Sequence, residues 1–318
     1  MFYAVILILV LVMLFSGLRI LESTVLRPRQ GGGETFVSKT ITRDGIAYFP
    51  RQDITTVLVM GIDQYGPVEK SDTYSNTGAS DMNMLLIFDE VAETCAVLHL
   101  NRDTMLEMPV LGLSGKKAGT YFGQLALAHT YGTGLSDSCE NVRKTISDFL
   151  HGAEIDYYVA MHMDAISILN DAVGGVKVNV TEDFSAVDPS ITMGEVTLMG
   201  EQAINYVRTR KDIGDQLNIS RIRRQQEYLD GFVEAFRSKQ EQAKEFIVAA
   251  YEQVQPYLVT DCSANAISGM VERFSDYRVS EVVTPEGRNV LGEKYFEFYV
   301  DEEKLDALIL RLLYAPKK

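Results

Sequence analysis

The chain has 318 residues, of which 46% are hydrophobic and 23% charged, and its formal net charge is −14 at pH 7. Its acidity, without a basic stripe interleaved with aromatic residues, argues against nonspecific binding to nucleic acids. Its three cysteines fit no metal-binding spacing, and their odd number argues against a disulfide framework.

The first eighteen residues carry no charged side chain and are rich in Leu, Val, Ile, Met and Phe, so they are long enough to cross a bilayer as a helix. A cleaved signal peptide is not favoured, because the sequence has neither a basic start nor an Ala-x-Ala-like cleavage site. Arg19, Arg27 and Arg29 all flank the C-terminal end of the apolar run. The positive-inside rule read literally would place the body in the cytoplasm, but we do not assign the orientation from these charges alone. We predict three parts, which are a transmembrane anchor over 1–20, a linker over 21–50 and one domain over 51–318.

Short apolar runs that end in polar residues come next. Thr56–Met60 reads as a buried strand that leads to Asp63. Asp81 precedes a β-rich run, Met82–Phe88, which should pair with the run that ends just before Arg102 and Asp103. These strand ends predict a cluster of polar side chains at one edge of a sheet.

The middle of the chain alternates helix and strand patterns. A helix is predicted over Asp137–Leu150, a strand over Ile155–Met163, a helix from Asp164 to Val173 and a strand over Val176–Val180. Because strand, helix and strand follow one another, we expect a βαβ unit and an α/β fold with parallel strand pairs. Two further strands, near 277–283 and 295–300, and a helix over Glu302–Tyr314 complete the prediction.

Arginines gather late in this acidic chain. The window from Arg208 to Arg224 holds six basic and two acidic residues, for a net charge of +4, and its arginines are Arg208, Arg210, Arg221, Arg223 and Arg224. Guanidinium groups bind phosphate oxygens bidentately, so several together predict a phosphate or pyrophosphate ligand. The spacing places Arg221, Arg224 and Gln225 on one helical face, opposite the end of a preceding helix. The alternative is that some of these arginines line a solvated face or pair with Glu201 and Glu227.

Common enzyme motifs are absent from the sequence, including the nucleophile elbow, the zinc-protease motif, the Walker A loop and the dinucleotide fingerprint. Carboxylates and arginines remain. Asp63 and Asp81 near phosphate-binding arginines are what Mg²⁺ requires, because this cation is shared between one or two carboxylates and substrate phosphates. The alternative roles for these two aspartates are a turn residue and a cap.

Seven sequence blocks resemble, in order, the signature blocks of the LytR-CpsA-Psr family. They are TTVLVMGID ending at Asp63, Ser80-Asp81 before MNMLLIF, LHLNRDT from Leu98, LAHTYG from Leu127, IDYYVAMHMDAISILNDAVGGVKVNV from Ile155, GEQAINYVRTR from Gly200 and RIRRQQ from Arg221. The resemblance implies an α/β fold with a central mixed sheet flanked by helices and preceded by one N-terminal transmembrane helix. It places the domain on the outer face of the cell membrane.

The resemblance also implies a function. This is transfer of a phosphate-linked glycopolymer, such as teichoic acid or capsular polysaccharide, from an undecaprenyl pyrophosphate carrier to peptidoglycan. Block by block, it implies that Asp63 and Asp81 hold Mg²⁺ and that the polyprenyl tail lies in an apolar cavity. The implied pyrophosphate contacts are Arg102, Arg208, Arg210, Arg221 and Gln225, with Arg224 as an addition. Asp81, Arg102, Arg208 and Arg210 are the expected catalytic residues.

Two departures from the family pattern affect the loops. Asn101 stands before Arg102, where the family usually has a proline, and the polar stretch from Gln64 to Ala79 is either a flexible lid or a longer loop. The sequence leaves two other functions open. They are a polyprenyl-pyrophosphate hydrolase and a non-catalytic regulator that binds polyprenyl phosphates.

Overall fold

The computed structural model describes residues 40–209, 213, 218–242, 250, 252–262, 266, 269–270, 273–274, 277–293 and 295–316. The chain divides into two compact units. We call residues 40–161, 259–262 and 277–316 the sheet unit, and residues 162–258 with the described part of 263–276 the helix unit. The predicted anchor over 1–20 and most of the predicted linker lie outside the described residues. Within the described ranges, no helix combines the length and the apolar character needed to cross a membrane.

The strands of the described residues are, in chain order, β1 (Ile41–Arg43), β2 (Ile46–Pro50), β3 (Ile54–Ile62), β4 (Ser80–Asp89), β5 (Thr94–Leu100), β6 (Met105–Leu111), β7 (Lys117–Gln124), β8 (Tyr157–His162), β9 (Val176–Val180), β10 (Gly194–Leu198), β11 (Leu258–Thr260), β12 (Arg278–Val283), β13 (Gly287–Leu291), β14 (Phe296–Val300) and β15 (Tyr314–Pro316). The α-helices are α1 (Ser136–Phe149), α2 (Asp164–Ala172), α3 (Glu201–Arg208), α4 (Asn218–Gln242) and α5 (Glu302–Leu313), and the 3-10 helices are Leu125–Thr130 and Gln255–Tyr257.

A six-stranded mixed sheet, in the order β11-β8-β3-β4-β5-β12, organises the sheet unit. β3 pairs antiparallel with β4, β4 pairs antiparallel with β5, and β12 joins β5 in parallel. The expected mixed sheet of an α/β fold is therefore present. Antiparallel neighbours place the C-terminal end of one strand beside the N-terminal start of the next. The end of β3, the start of β4 and the end of β5 consequently share one edge of the sheet.

The central strands are buried on both faces, which explains their unbroken apolar sequences. Along β3, residues from Val57 to Met60 are at most 1% exposed, and β4 and β5 have similar buried runs. One face of the sheet packs against α1 and α5. Val142 and Ile146 lie one turn apart on α1, Leu305 and Ile309 lie one turn apart on α5, and all four side chains belong to the core. This hydrophobic core fixes the sheet edge that carries the polar residues.

Three smaller sheets complete the sheet unit. β1, β2 and β15 form an antiparallel sheet, β6 pairs with β7, and β13 pairs with β14. The strands predicted near 277–283 and 295–300 are confirmed as β12 and β14. They do not pair with each other, because β13 lies between them in the chain and supplies the partner of β14.

The helix unit contains α2, α3, α4 and the antiparallel pair of β9 and β10. Its long helix approaches β9 closely, since a Cβ atom on Gly231 would lie 2.3 Å from the carbonyl oxygen of Lys177. The buried Tyr228 of α4 donates a hydrogen bond of 3.1 Å to Asn170 of α2. Gly231 and Tyr228 thus fix α4 against β9 and α2.

The expected βαβ unit is wrong in its second half. α2 ends as predicted at Gly174 and Gly175, which have φ angles of 88° and 92°. β9 then pairs antiparallel with β10 and does not join the six-stranded sheet. The reason is visible in its burial, because Val176, Val178 and Val180 are buried while Lys177 and Asn179 are exposed. That alternation is typical of an antiparallel strand with one covered face.

Candidate functional site

Three predicted site residues lie at the same edge of the six-stranded sheet. Asp63 directly follows β3, Asp81 is the second residue of β4, and Arg102 follows β5 by two residues. The backbone N–H of Asp63 donates to the carbonyl oxygen of Ala79 at 2.9 Å, which extends the pairing of β3 with β4 by one residue. The sequence prediction that these strand ends share one edge agrees with this geometry.

A β-bulge sets the position of Asp81. Gly61 pairs with Met82 and Ile62 pairs with Ser80, so Asp81 is the extra residue between two successive pairs. Bulges bend a strand locally and redirect the side chain they carry, and they are common beside active sites. The carboxylate of Asp81 therefore leaves the regular alternation of β4.

Arg102 is flanked by two carboxylates. One of its terminal nitrogens donates to Asp81 Oδ1, and its Nε lies 3.4 Å from Asp103 Oδ1. The Arg102 side chain is 28% exposed, and those of Asp81 and Asp103 are each 20% exposed. The guanidinium group is thus held in place by protein contacts while a part of it remains open to solvent.

Asn101 stabilises the turn that contains Arg102, at the position where the family usually has a proline. Its side-chain oxygen accepts the backbone N–H of Asp103 at 3.0 Å, and its carbonyl oxygen accepts the N–H of Thr104 at 3.0 Å. Such bonds to a following backbone N–H are how asparagine stabilises tight turns. The loop that carries Arg102 is therefore closed without the proline.

Gln124 is a residue of this region that sequence reasoning missed. Its side-chain nitrogen donates to Asp103 Oδ1 at 3.0 Å and to the carbonyl oxygen of Phe296 at 2.8 Å. It therefore connects the Arg102 loop to the β13–β14 hairpin. β7, which ends at Gln124, is exposed over most of its length and has no apolar alternation that would have revealed it.

The two aspartates fit a magnesium ion only when a ligand completes its coordination. Among the described residues, no group of three or more His, Cys, Asp or Glu side chains could hold a metal. Asp81 Oδ1 accepts from Arg102, and a carboxylate can accept at both of its oxygens. Carboxylate oxygens, which both aspartates offer, are the ligand type that a hard cation shares with phosphate oxygens.

The arginine-rich window lies in the helix unit, where the end of α3 meets the first turns of α4. Arg208 closes α3 and is exposed, and Arg221 is half-buried in the first turn of α4. Gln225 donates to the carbonyl oxygen of Val207 at 3.0 Å. Arg210 lies outside the described residues.

Arg224 is a structural residue in this arrangement. It is 3% exposed, and its Nε donates to the carbonyl oxygen of Tyr206 at 3.0 Å. Its two terminal nitrogens donate to Glu182 and to the carbonyl oxygen of Thr209. All three guanidinium nitrogens of Arg224 donate to protein groups, two of them to carbonyl oxygens at the end of α3 that have no partner within the helix. We therefore leave Arg224 out of the proposed ligand contacts.

The three cysteines are not suited to act as nucleophiles. Cys95, Cys139 and Cys262 are free thiols, and none of them is exposed. Burial raises the pKa of Cys95 and of Cys262 to about 12, and it raises the pKa of Cys139 as well. Thiolates are the reactive form of cysteine, so these groups are poor nucleophiles at neutral pH.

Comparison with known proteins identifies the family. The family model described as the LytR_cpsA_psr family matches residues 35–311, which extends the resemblance beyond the seven sequence blocks in both directions. The chain belongs to the LytR-CpsA-Psr family. Within this family, the Asn101 loop shows how the arginine of the third block is positioned in a chain that lacks the usual proline.

Two curated relatives are named for a wall polymer. One is the polyisoprenyl-teichoic acid–peptidoglycan teichoic acid transferase TagU of Bacillus licheniformis, 25% identical over 197 residues, covering 62% of this chain and 57% of the relative. The other is the enzyme TagT of Bacillus subtilis, with the same descriptive name, 31% identical over 199 residues, covering 59% of this chain and 55% of the relative. The chain thus spans little more than half the length of these LytR-CpsA-Psr relatives.

A solved structure supports the fold. The protein gbs0355 of Streptococcus agalactiae superposes with a TM-score of 0.65 at 21% identity, over 82% of this chain and 86% of that one. The mixed sheet and its flanking helices are therefore shared with known structures of this kind.

Proposed function

We propose that this protein transfers a phosphate-linked glycopolymer, of the teichoic acid or capsular polysaccharide type, from an undecaprenyl pyrophosphate carrier to peptidoglycan. Membership of the LytR-CpsA-Psr family and the names of the two relatives support transfer of a wall polymer. The observation that carries the proposal is the contact of Arg102 with Asp81 at the sheet edge that also holds Asp63. This edge combines a cation for phosphate with carboxylates for a metal.

In the proposed reaction, a sugar hydroxyl of peptidoglycan attacks the phosphorus nearest the glycan. The proton of the hydroxyl passes to solvent as the new P–O bond forms, the bridging P–O bond breaks, and polyprenyl phosphate leaves. The product is a phosphodiester. Since no enzyme nucleophile is required, positioning and electrostatic stabilisation supply most of the rate.

Arg102 is the residue that would stabilise charge on the leaving phosphate, because its donors are pre-organised by Asp81 and Asp103. We propose Arg208, Arg210, Arg221 and Gln225 as further pyrophosphate contacts, on the basis of their family blocks. Asp63 and Asp81 would hold Mg²⁺. When bound, this ion neutralises pyrophosphate charge and polarises the bond to be broken.

We also propose that the apolar N-terminus anchors the protein in the cell membrane, with the domain on the extracellular face. Protease added to intact protoplasts should then digest the domain. Complete protection under conditions that digest a known surface protein would contradict this orientation.

Product analysis tests the proposed reaction. The full chain is incubated with a polyprenyl-pyrophosphate-linked glycopolymer and Mg²⁺, with and without peptidoglycan. We expect polymer on peptidoglycan and release of polyprenyl phosphate, both dependent on the acceptor. Loss of the lipid pyrophosphate at the same rate without acceptor would indicate a hydrolase, and lipid binding without turnover would indicate a regulator.

A further inference from the structure

The polar loop between Asp63 and Asp81 is fastened firmly at its C-terminal end. The side-chain nitrogen of Asn76 donates to the carbonyl oxygens of His129 at 2.9 Å and Gly132 at 3.0 Å. Both acceptors belong to the LAHTYG block, for which the proposed reaction has no other use. The loop is thus tied to the 3-10 helix Leu125–Thr130 and to the turn that follows it.

Gly78 is fixed by both of its backbone polar groups. Its N–H donates to Asn76 Oδ1 at 2.7 Å, and its carbonyl oxygen lies 2.7 Å from Nδ1 of His129. Because a carbonyl oxygen can only accept, Nδ1 of His129 carries the proton in this bond. His129 is 1% exposed. A side chain on Gly78 would have no room, since a Cβ atom would lie 2.8 Å from Cγ2 of Ile62.

The residues that follow Gly78 connect this fastening to both aspartates. Ala79 accepts the N–H of Asp63 at 2.9 Å, and Ser80 pairs with Ile62. The next residue is Asp81, which lies at the bulge. A displacement of Gly78 would therefore move the backbone of Asp63 and of Asp81 together.

We propose that Asn76, Gly78 and His129 form a clasp that positions the carboxylates of Asp63 and Asp81, and that His129 is a positioning residue of the metal and pyrophosphate site. The clasp gives the LAHTYG block a physical role. The effect of the clasp on turnover can be measured only if the proposed function is correct, whereas its effect on hydrogen exchange of the backbone can be measured in either case.

Asn141 offers a matched control in the same unit. Its side-chain nitrogen also bridges two carbonyl oxygens, those of Pro109 at 3.0 Å and Ala128 at 2.8 Å, and it is 5% exposed. Ala128 precedes His129 in the LAHTYG block, so loss of the Asn141 side chain removes a bond to that block while the bonds from Asn76 to the block and from His129 to Gly78 remain. Asn141→Ala should therefore lower the melting temperature and leave the aspartates in place.

Two substitutions at position 129 distinguish the effect of losing the hydrogen bond to Gly78 from the effect of replacing the imidazole ring with a smaller side chain. Asn and Leu have nearly the same size and shape, but only His129→Asn keeps an N–H donor near the position of Nδ1. His129→Leu removes the donor and leaves the carbonyl oxygen of Gly78 buried without it. Asn76→Ala tests the other arm of the clasp at a half-buried position, and it carries the same test should His129→Leu fail to fold.

The first measurement is native-state hydrogen exchange at the amide of Asp63, which is bonded to Ala79. Loss of one buried hydrogen bond should raise this exchange rate about tenfold in His129→Leu and in Asn76→Ala. His129→Asn should remain within about threefold of the wild type, as should Asn141→Ala. Exchange at Asp63 that is unchanged in His129→Leu and Asn76→Ala, or equally fast in Asn141→Ala, would overturn the clasp.

The second measurement is the Mg²⁺ concentration for half-maximal turnover of the lipid-linked glycopolymer. It should rise about fivefold or more in His129→Leu and return close to the wild-type value in His129→Asn, the loss of one hydrogen bond being the cause. An unchanged Mg²⁺ dependence with lower thermal stability alone would contradict a positioning role. If the wild type shows no turnover, the proposed function fails, and the exchange at Asp63 still decides on the clasp.

Discussion

Arg102 illustrates what single residues contribute to this site. Its position after β5 could be predicted from the sequence, because the apolar run stops two residues before it. Its partners could be predicted only in part. The sequence placed Asp81 near a strand end, whereas Gln124, which donates to the Arg102 partner Asp103, comes from a strand without an apolar pattern.

Replacing Arg102 tests the charge it would supply. Arg102→Ala should reduce turnover of the lipid-linked glycopolymer about 100- to 1,000-fold, the usual cost of removing one group that stabilises charge in the transition state. The matched control is Arg311→Ala, because Arg311 is also paired with a carboxylate in the sheet unit, that of Glu281. Steady-state rates of both variants, with circular dichroism to confirm folding, provide the measurement. Equal losses in the two variants would argue against a role for Arg102 in the reaction.

Arg224 shows a limit of sequence reasoning at the same scale. Helical spacing places it on one face with Arg221 and Gln225, as a ligand contact would be. Spacing does not reveal burial, and in the structure Arg224 lies under the end of α3 with Glu182, stacked over the ring of Phe184. A cluster of arginines in the sequence therefore combines exposed groups with at least one that stabilises the fold.

At the scale of elements, Glu182 connects α4 to the segment after β9 through two arginines. It accepts from Arg223 at 3.0 Å and from Arg224, and its own side chain is 8% exposed. The side chain of Arg223 is 64% exposed and that of Arg224 is 4% exposed. One carboxylate thus forms a surface pair and a buried pair.

This contrast predicts unequal effects on stability. Arg224→Met should lower the free energy of unfolding by about 3–5 kcal/mol, because it leaves a buried carboxylate without its main partner. Arg223→Met should change it by less than about 1 kcal/mol, as is usual for exposed pairs. Urea denaturation of the two variants measures both values. Similar losses for the two would show that burial does not decide the strength of these contacts.

Asp89 joins the β4–β5 hairpin to the end of β2. It accepts from Arg51 at 2.7 Å and from the N–H of Ala92 at 2.8 Å, which lies in the turn of the hairpin. Burial alone would raise the pKa of Asp89, but the N–H of Ala92 and the guanidinium of Arg51 outweigh it and hold that pKa below its ordinary value. Folding therefore favours the charged form of the Asp89 carboxyl group over its neutral form.

A pH dependence follows from this shift. A carboxyl group whose pKa is lower in the folded state stabilises the protein above its unfolded pKa, near 4, and this contribution is lost as the pH falls through the folded value. Asp89→Asn should therefore lower the free energy of unfolding at pH 7 by about 1–2 kcal/mol. The difference from the wild type should shrink below about pH 4. Urea denaturation from pH 7 to pH 3 tests this, with Asp44→Asn at an exposed turn as the control, and a pH-independent difference would contradict it.

Elements with a strong apolar pattern were the most predictable. β3, β4 and β5 are long apolar runs, and α1 has a clear helical period, so all four were located from the sequence. Pairing was harder. β9 looked like the second strand of a βαβ unit, but its partner β10, in which only Leu198 is fully buried, was not recognised as a strand. Strand pairing depends on contacts between distant segments, which local patterns do not contain.

At the scale of the whole molecule, family membership and the polar residues at the sheet edge support the proposed transfer. The chain is acidic as a whole, yet it brings a half-buried arginine, Arg102, to a strand end beside Asp81 and Asp103. The proposed clasp gives a structural role to a block to which the proposed reaction assigns no ligand contact. The central claim is that a pyrophosphate and its metal bind at the edge formed by Asp63, Asp81 and Arg102.

A crystal structure of the protein with a polyprenyl pyrophosphate and Mn²⁺ in place of Mg²⁺ tests this claim most directly. The anomalous signal of manganese locates the metal independently of any assumption about its ligands. We predict a manganese peak bound by Asp63 and Asp81, with pyrophosphate oxygens within hydrogen-bond distance of Arg102. A metal and pyrophosphate bound elsewhere, with Arg102 contacting only Asp81 and Asp103, would contradict the account.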